Sequence, residues 1–126
     1  LVTKHEPDIL VLDQIDKVRV DGDFNRGDER IKELYVSVRE LAKEKSMGVV
    51  GISQLSADAH EKQITDFSML ENSKTGKAAE ADLIFCLGQL SQNGSRRTLN
   101  IPKNKISGNH NNVEIILQQE LSRFTS

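Results

Sequence analysis

Asp13 ends the apolar run Ile9-Leu10-Val11-Leu12, a position where a carboxylate can do chemistry. In open α/β sheets, ligands settle in the crevice above the carboxyl ends of the strands. There a hard divalent cation such as Mg2+ prefers oxygen ligands and offsets phosphate charge. Asp13 is therefore a candidate metal and nucleotide ligand, although the same pattern also describes a plain strand-ending aspartate. Gln54 closes a second run, Val49-Val50-Gly51-Ile52-Ser53-Gln54. Its amide both donates and accepts hydrogen bonds, which suits contact with a phosphate or an attacking water.

Other motifs carry less. Lys74-Thr75-Gly76-Lys77 superficially suggests a phosphate loop, but the glycine spacing is wrong and a solvated loop is the plainer reading. No Gly-x-x-x-x-Gly-Lys-Ser/Thr motif occurs anywhere in the chain, so it supplies no glycine-rich cradle for phosphates. His5, His60 and His110 lie far apart and have no companion cysteines at metal-ligand spacing. Arg96-Arg97 follows a turn signal and reads as a charged surface end or a DNA or subunit contact. Cys86 lies within Leu83-Ile84-Phe85-Cys86-Leu87; as the single cysteine it forms no disulfide within the chain and is expected to be a small buried residue.

The elements that must hold these groups follow from periodicity. Ile9–Leu12 has the continuous apolar pattern of a strand buried on both faces. Residues 14–27 are polar and glycine-containing and read as a loop. Asp28 is the expected N-cap of a helix whose Ile31, Leu34, Tyr35, Val38, Leu41 and Ala42 fall on one stripe, ending near Ser46 before Gly48. Strand, crossover helix and strand make a βαβ unit. Residues 55–76 predict a long loop with one short helical turn near Phe67 to Leu70, and Lys77 to Ala81 predict one more turn. Strands are expected at Leu83–Leu87, Thr98–Ile101 and Val113–Leu117, separated by Gln92-Asn93-Gly94-Ser95 and Ser107-Gly108-Asn109.

With 126 residues, one continuous core over residues 1–126 is the expectation. At 37% hydrophobic, 29% charged and 4% aromatic, the composition suits an α/β or helical domain better than a β-sandwich. No apolar stretch reaches the roughly 20 residues of a membrane span, and a cytoplasmic location is expected. The net charge of -2 argues against a protein that coats nucleic acid. Charge is uneven, however: residues 1–61 hold 9 Lys+Arg against 13 Asp+Glu, and residues 62–126 hold 8 against 6. Polyanion contact is expected mainly in the second half.

Taken in order, Pro7-Asp8-Ile9-Leu10-Val11-Leu12-Asp13, Leu41-Ala42-Lys43-Glu44, Ser53-Gln54-Leu55, Ala81-Asp82-Leu83-Ile84, Lys103-Asn104-Lys105 with Ser107-Gly108, and Ser122-Arg123-Phe124 resemble the C-terminal half of the RecA-like motor of DnaB-type replicative DNA helicases. The resemblance implies an α/β fold with a central, largely parallel sheet, flanking helices and C-terminal antiparallel strands. It also implies a phosphate-binding half upstream of Leu1. In its terms Asp13 is the Walker B aspartate serving Mg2+ and ATP, and Gln54 is the sensor that couples nucleotide state to the following loop. Residues around 16–27 and 55–76 become candidate contacts for single-stranded DNA, with Lys62, Lys74 and Lys77 as the chosen cations. Lys103 and Lys105 match the basic pair that reaches a neighbouring subunit's γ-phosphate in a hexameric ring. Lys105 departs from the family's usual arginine and offers a point charge where a planar fork is common. Because the phosphate loop is absent, weak or absent ATP binding is expected for the chain alone. Two other readings stay open: a fragment of a RecA-type recombinase, and a non-catalytic binding or assembly module.

Overall fold

The computed structural model describes residues 2–60, 62–70, 74–89 and 94–125, with the side chains at 2, 3, 74 and 75 left out. The chain divides into two compact units, Leu1–Gln54 with Glu71–Glu80, and Leu55–Leu70 with Ala81–Ser126.

The first unit opens with a single helical turn, α1 (Val2–His5), followed by β1 (Ile9–Leu12). After a long helix, α2 (Gly27–Glu44), comes β2 (Gly48–Gly51), which pairs with β1 in parallel from Ile9↔Gly48 to Leu12↔Gly51. The expected βαβ unit is therefore present. Its ladder continues past the strands, since Ile52 N–H donates to Leu12 O at 3.0 Å and Ile15 N–H to Ile52 O at 3.0 Å. The apolar stripe of α2 buries Ile31 and Leu34 against Ile15, with Leu12, Val20, Tyr35 and Val38 packed around them.

The start and end of α2 differ from the sequence reading. Arg26, not Asp28, takes the cap position, and Asp28 lies in the first turn, where its charge suits the helix dipole. Ser46 adopts the left-handed conformation (φ 51°), and Met47 N–H reaches back to Ala42 O at 3.0 Å. That six-to-one bond is the usual helix-ending pattern with serine in place of glycine. Ser46, and not Gly48, makes the stop. The unit closes with α3 (Lys74–Glu80), which packs on α2; Arg39 donates to the carbonyl oxygen of Glu80 and its Nε lies 3.8 Å from Glu80 Oε2.

In the second unit β3 (Leu83–Gln89), β4 (Arg96–Asn104), β5 (Asn112–Gln118) and β6 (Arg123–Thr125) form a purely antiparallel sheet in chain order. The expected C-terminal antiparallel strands are thus present, but the largely parallel central sheet is corrected: among the described residues the parallel sheet has two strands and the antiparallel one four. Chain length supplies the reason. A parallel step needs a crossover of a dozen or more residues, whereas residues 90–95 alone separate β3 from β4. Ahead of the sheet, short 3-10 turns at Ala57–Ala59 and Phe67–Met69 are joined by a bridge between Leu55 and Leu70.

Alternation along these strands buries Cys86, Gly88, Thr98 and Asn100 on one face, while Phe85, Leu87, Val113 and Phe124 on the opposite face are exposed. β1 shows the same one-sidedness: Leu10 and Leu12 are half-buried, Ile9 and Val11 exposed. The strand expected to be covered on both faces is covered on one.

Cys86, 3% exposed, is the small buried residue anticipated. Burial raises its thiol from 9.0 to about 11, with the charge of Asp66 adding. The unfolded thiol ionises first, so the stability it contributes is complete below about pH 9 and is lost as pH rises towards about 11. Alkylation of native protein by a thiol reagent should therefore stay slow at pH 9 and rise steeply only above it. Fast alkylation at neutral pH would contradict this burial.

Candidate nucleotide site at the strand tips

Parallel pairing puts the carboxyl ends of β1 and β2 at the same edge, and both candidate tip residues, Asp13 and Gln54, are exposed there. Beyond Asp13 the chain turns sharply. Gln14 is held in the left-handed region (φ 52°, ψ 58°), an uncommon conformation for a residue other than glycine, asparagine or aspartate. A 3-10 turn, Ile15–Lys17, follows, and its Ile15 drops into the core.

Directly behind the tips lies a polar cluster that the sequence reading missed. Lys77, 1% exposed, donates from Nζ to Asp16 Oδ2 at 2.6 Å and to Ser53 Oγ at 2.9 Å. Ser53 in turn donates to Asp16 Oδ2 at 2.7 Å, and the Tyr35 hydroxyl donates to Asp16 Oδ1 at 3.1 Å. Arg30 secures the backbone of the same turn through Asp16 O and Val18 O, at 2.9 and 3.0 Å. The ammonium also lies 5.9 Å from the Tyr35 ring centroid. Burial pushes the Tyr35 phenol up, and the charge of Asp16 adds to the rise, so the phenol stays a neutral donor to that carboxylate. Four elements meet here: the turn after β1, the segment after β2, α2 and α3. Asp16 stands three residues after Asp13, and Ser53 directly precedes Gln54.

The remaining sequence candidates divide. Lys77 is displaced from the DNA-facing set, because its ammonium is buried and bonded within the first unit. The Lys74-Thr75-Gly76-Lys77 stretch is helical, not a solvated loop. Lys74 opens α3, but its side chain is outside the described residues. Lys62 is exposed. In the second unit, Lys103 is half-buried within β4, which runs on to Asn104. Lys105 is exposed in the following turn, with its Nζ 3.7 Å from Asp82 Oδ1 and its N–H bonded to Asp82 O at 2.8 Å.

An exposed carboxylate at a strand tip has the hard oxygen donors that Mg2+ takes, so Asp13 fits one side of a nucleotide site. The other side, a cradle of backbone N–H groups for the phosphates, is not encoded in these 126 residues.

No protein-family profile and no curated protein matches the sequence. Among solved structures, an ATPase domain aligns with a TM-score of 0.81 at 20% identity, over 94% of this chain and 44% of its own. A DnaB-like replicative helicase, solved in a study of its interactions with primase, aligns at 0.80 and 20% identity, over 93% of this chain and 30% of its own. The fold is similar to part of both of these structures. This chain spans less than half the length of either structure. Among the described residues, no helix is long and apolar enough to cross a membrane.

Proposed function

We propose that this chain is part of a RecA-like, ATP-driven DNA helicase motor that couples ATP hydrolysis to movement along single-stranded DNA. The observation that carries the reading is the parallel register of β1 and β2, which brings Asp13 and Gln54 to one edge as exposed groups. In the complete protein Asp13 would hold Mg2+, which would supply positive charge against the triphosphate. Gln54, with an amide able to donate and accept, senses whether the terminal phosphate is present and passes that state to the segment that follows it. Lys62 and Lys74 attract the DNA backbone without reading sequence. Lys103 and Lys105 serve a neighbouring subunit's nucleotide in a closed hexameric ring, stabilising charge that develops in phosphoryl transfer.

The test is ATP hydrolysis by the complete protein, with and without single-stranded DNA. Hydrolysis should be stimulated by DNA and abolished by Asp13→Ala, and the 126-residue chain alone should be inert. Undiminished hydrolysis in Asp13→Ala, or indifference to DNA, would remove the motor reading. Filaments on DNA in place of rings, seen by electron microscopy, would transfer the chain to the recombinase branch.

A further inference from the structure

We infer that Lys77 is a positioning residue that couples the segment ahead of α3 to the two strand tips, so that DNA stimulation of hydrolysis passes through its contacts with Asp16 and Ser53. This rests on the motor reading above and names a device within it.

The two strand tips are held to each other by bonds of their own. Ile52 N–H bonds Leu12 O, Ile15 N–H bonds Ile52 O, and Ser53 Oγ bonds Asp16 Oδ2. Arg30 clasps the carbonyl oxygens of Asp16 and Val18 from α2. None of these bonds uses Lys77, so the spacing of Asp13 and Gln54 is set without it. What Lys77 adds is a fourth element. It stands on α3, the helix the chain enters directly from residues 55–73. Its ammonium reaches the turn after β1 through Asp16 and the segment after β2 through Ser53.

A buried ammonium is costly to move away from a carboxylate to which it is bonded, as Lys77 is to Asp16. Displacement of α3 therefore cannot leave Asp16 and Ser53 behind at little cost. A pull on residues 55–73 is delivered to the neighbours of Asp13 and Gln54 together. The sparing of the tip-to-tip bonds makes the two roles separable. A merely structural lysine would lower basal and DNA-stimulated hydrolysis alike, whereas a coupling lysine sets their ratio.

The experiment is the ATPase rate of the complete protein, with and without a single-stranded oligonucleotide, for wild type, Lys77→Met, Lys77→Arg and Ser53→Ala. Coupling free energies between sites correspond to about 5-fold to 150-fold effects. In Lys77→Met the stimulation ratio should fall by roughly 5-fold or more, with the basal rate changed far less. Lys77→Arg keeps the charge and should restore part of the ratio. Ser53→Ala deletes one of the two contacts together with the Ser53–Asp16 bond, leaves the ion pair and both backbone bonds between the tips, and should lower the ratio by an intermediate amount with the basal rate changed far less. If Lys77→Met fails to fold by circular dichroism, Ser53→Ala decides, and an unchanged ratio there overturns the inference. Proportional loss of both rates in Lys77→Met also overturns it. A wild-type protein that DNA does not stimulate removes the motor reading and this inference together. A stimulated wild type whose ratio survives all three substitutions removes this inference alone.

Discussion

Lys77→Met should destabilise the fold by about 3–5 kcal/mol, because it breaks a buried ion pair from one side and leaves the other charge behind. The Lys77 side chain is 2% exposed and that of Asp16 19%, so water screens the pair poorly. The cation–π contact with Tyr35, at 5.9 Å, is at the edge of its useful range and adds at most about 0.5–1 kcal/mol. After Lys77→Met, Asp16 still accepts from the hydroxyls of Ser53 and Tyr35. After Asp16→Ala, the charge left behind is the ammonium, at the more deeply buried end of the pair. Asp16→Ala should therefore cost at least as much as Lys77→Met. The double variant Asp16→Ala with Lys77→Met removes both charges and should regain at least part of the single losses, a non-additivity that a double-mutant cycle in urea reads directly. Arg26 and Asp28 provide the contrast. Their pair at 2.9 Å has side chains 69% and 45% exposed, so Arg26→Ala should change stability by about 0–1 kcal/mol. Equal effects at the two sites, or strict additivity at Asp16 and Lys77, would mean that the cluster is wetter than its geometry implies.

Legibility in the sequence followed from how local each signal was. Ile9–Leu12 and the α2 stripe were readable because period and apolar content sit within one short window. Their parallel pairing followed from the length of the crossover. The 3-10 turn at Phe67–Met69 falls where the short turn was expected. One element was hidden and another, α3, was read only in its second half. β6 spans only Arg123–Thr125, too short to show alternation, and exists through its pairing with β5. α3 begins in Lys-Thr-Gly-Lys, whose glycine lowers helix propensity, and it is sustained by packing on α2 and by Arg39 at Glu80. Asp13 and Gln54 could be chosen because strand ends can be read from the run before them. Asp16 and Lys77 could not be paired, since 61 residues separate them and each alone looks like a solvated charge. The one available signal was Ala78-Ala79 beside Lys77: small neighbours let a helix approach closely enough to bury a long side chain.

Gly88→Ala should be about as damaging as losing the ion pair, for a purely steric reason. A Cβ at Gly88 would lie 2.0 Å from the carbonyl oxygen of Gln63, 2.7 Å from its carbon and 2.8 Å from the oxygen of Lys62. These are backbone atoms, which cannot rotate aside as a side chain can. The segment is also fastened to the sheet on either side of the contact: Gln89 N–H bonds Lys62 O at 3.1 Å, and Asn100 Nδ2 donates to Thr65 O. Overpacking of this kind typically costs about 1–3 kcal/mol, and the backbone clash puts Gly88→Ala at the upper end or above it. Gly51→Ala is the matched control, since its Cβ would meet the Ile15 side chain at 3.0 Å, a contact that a rotamer adjustment can relieve. The readout need not be global stability. Residues 62–65 cover the face that holds Cys86, Thr98 and Asn100, so lifting that segment should expose the thiol. In Gly88→Ala, Cys86 should react with a thiol reagent at pH 8 many times faster than in wild type, while in Gly51→Ala it should not. Slow alkylation in a folded Gly88→Ala protein would show that the cover moves without opening, and the close approach at Gly88 would then be a tolerance of the loop and not a requirement of the sheet.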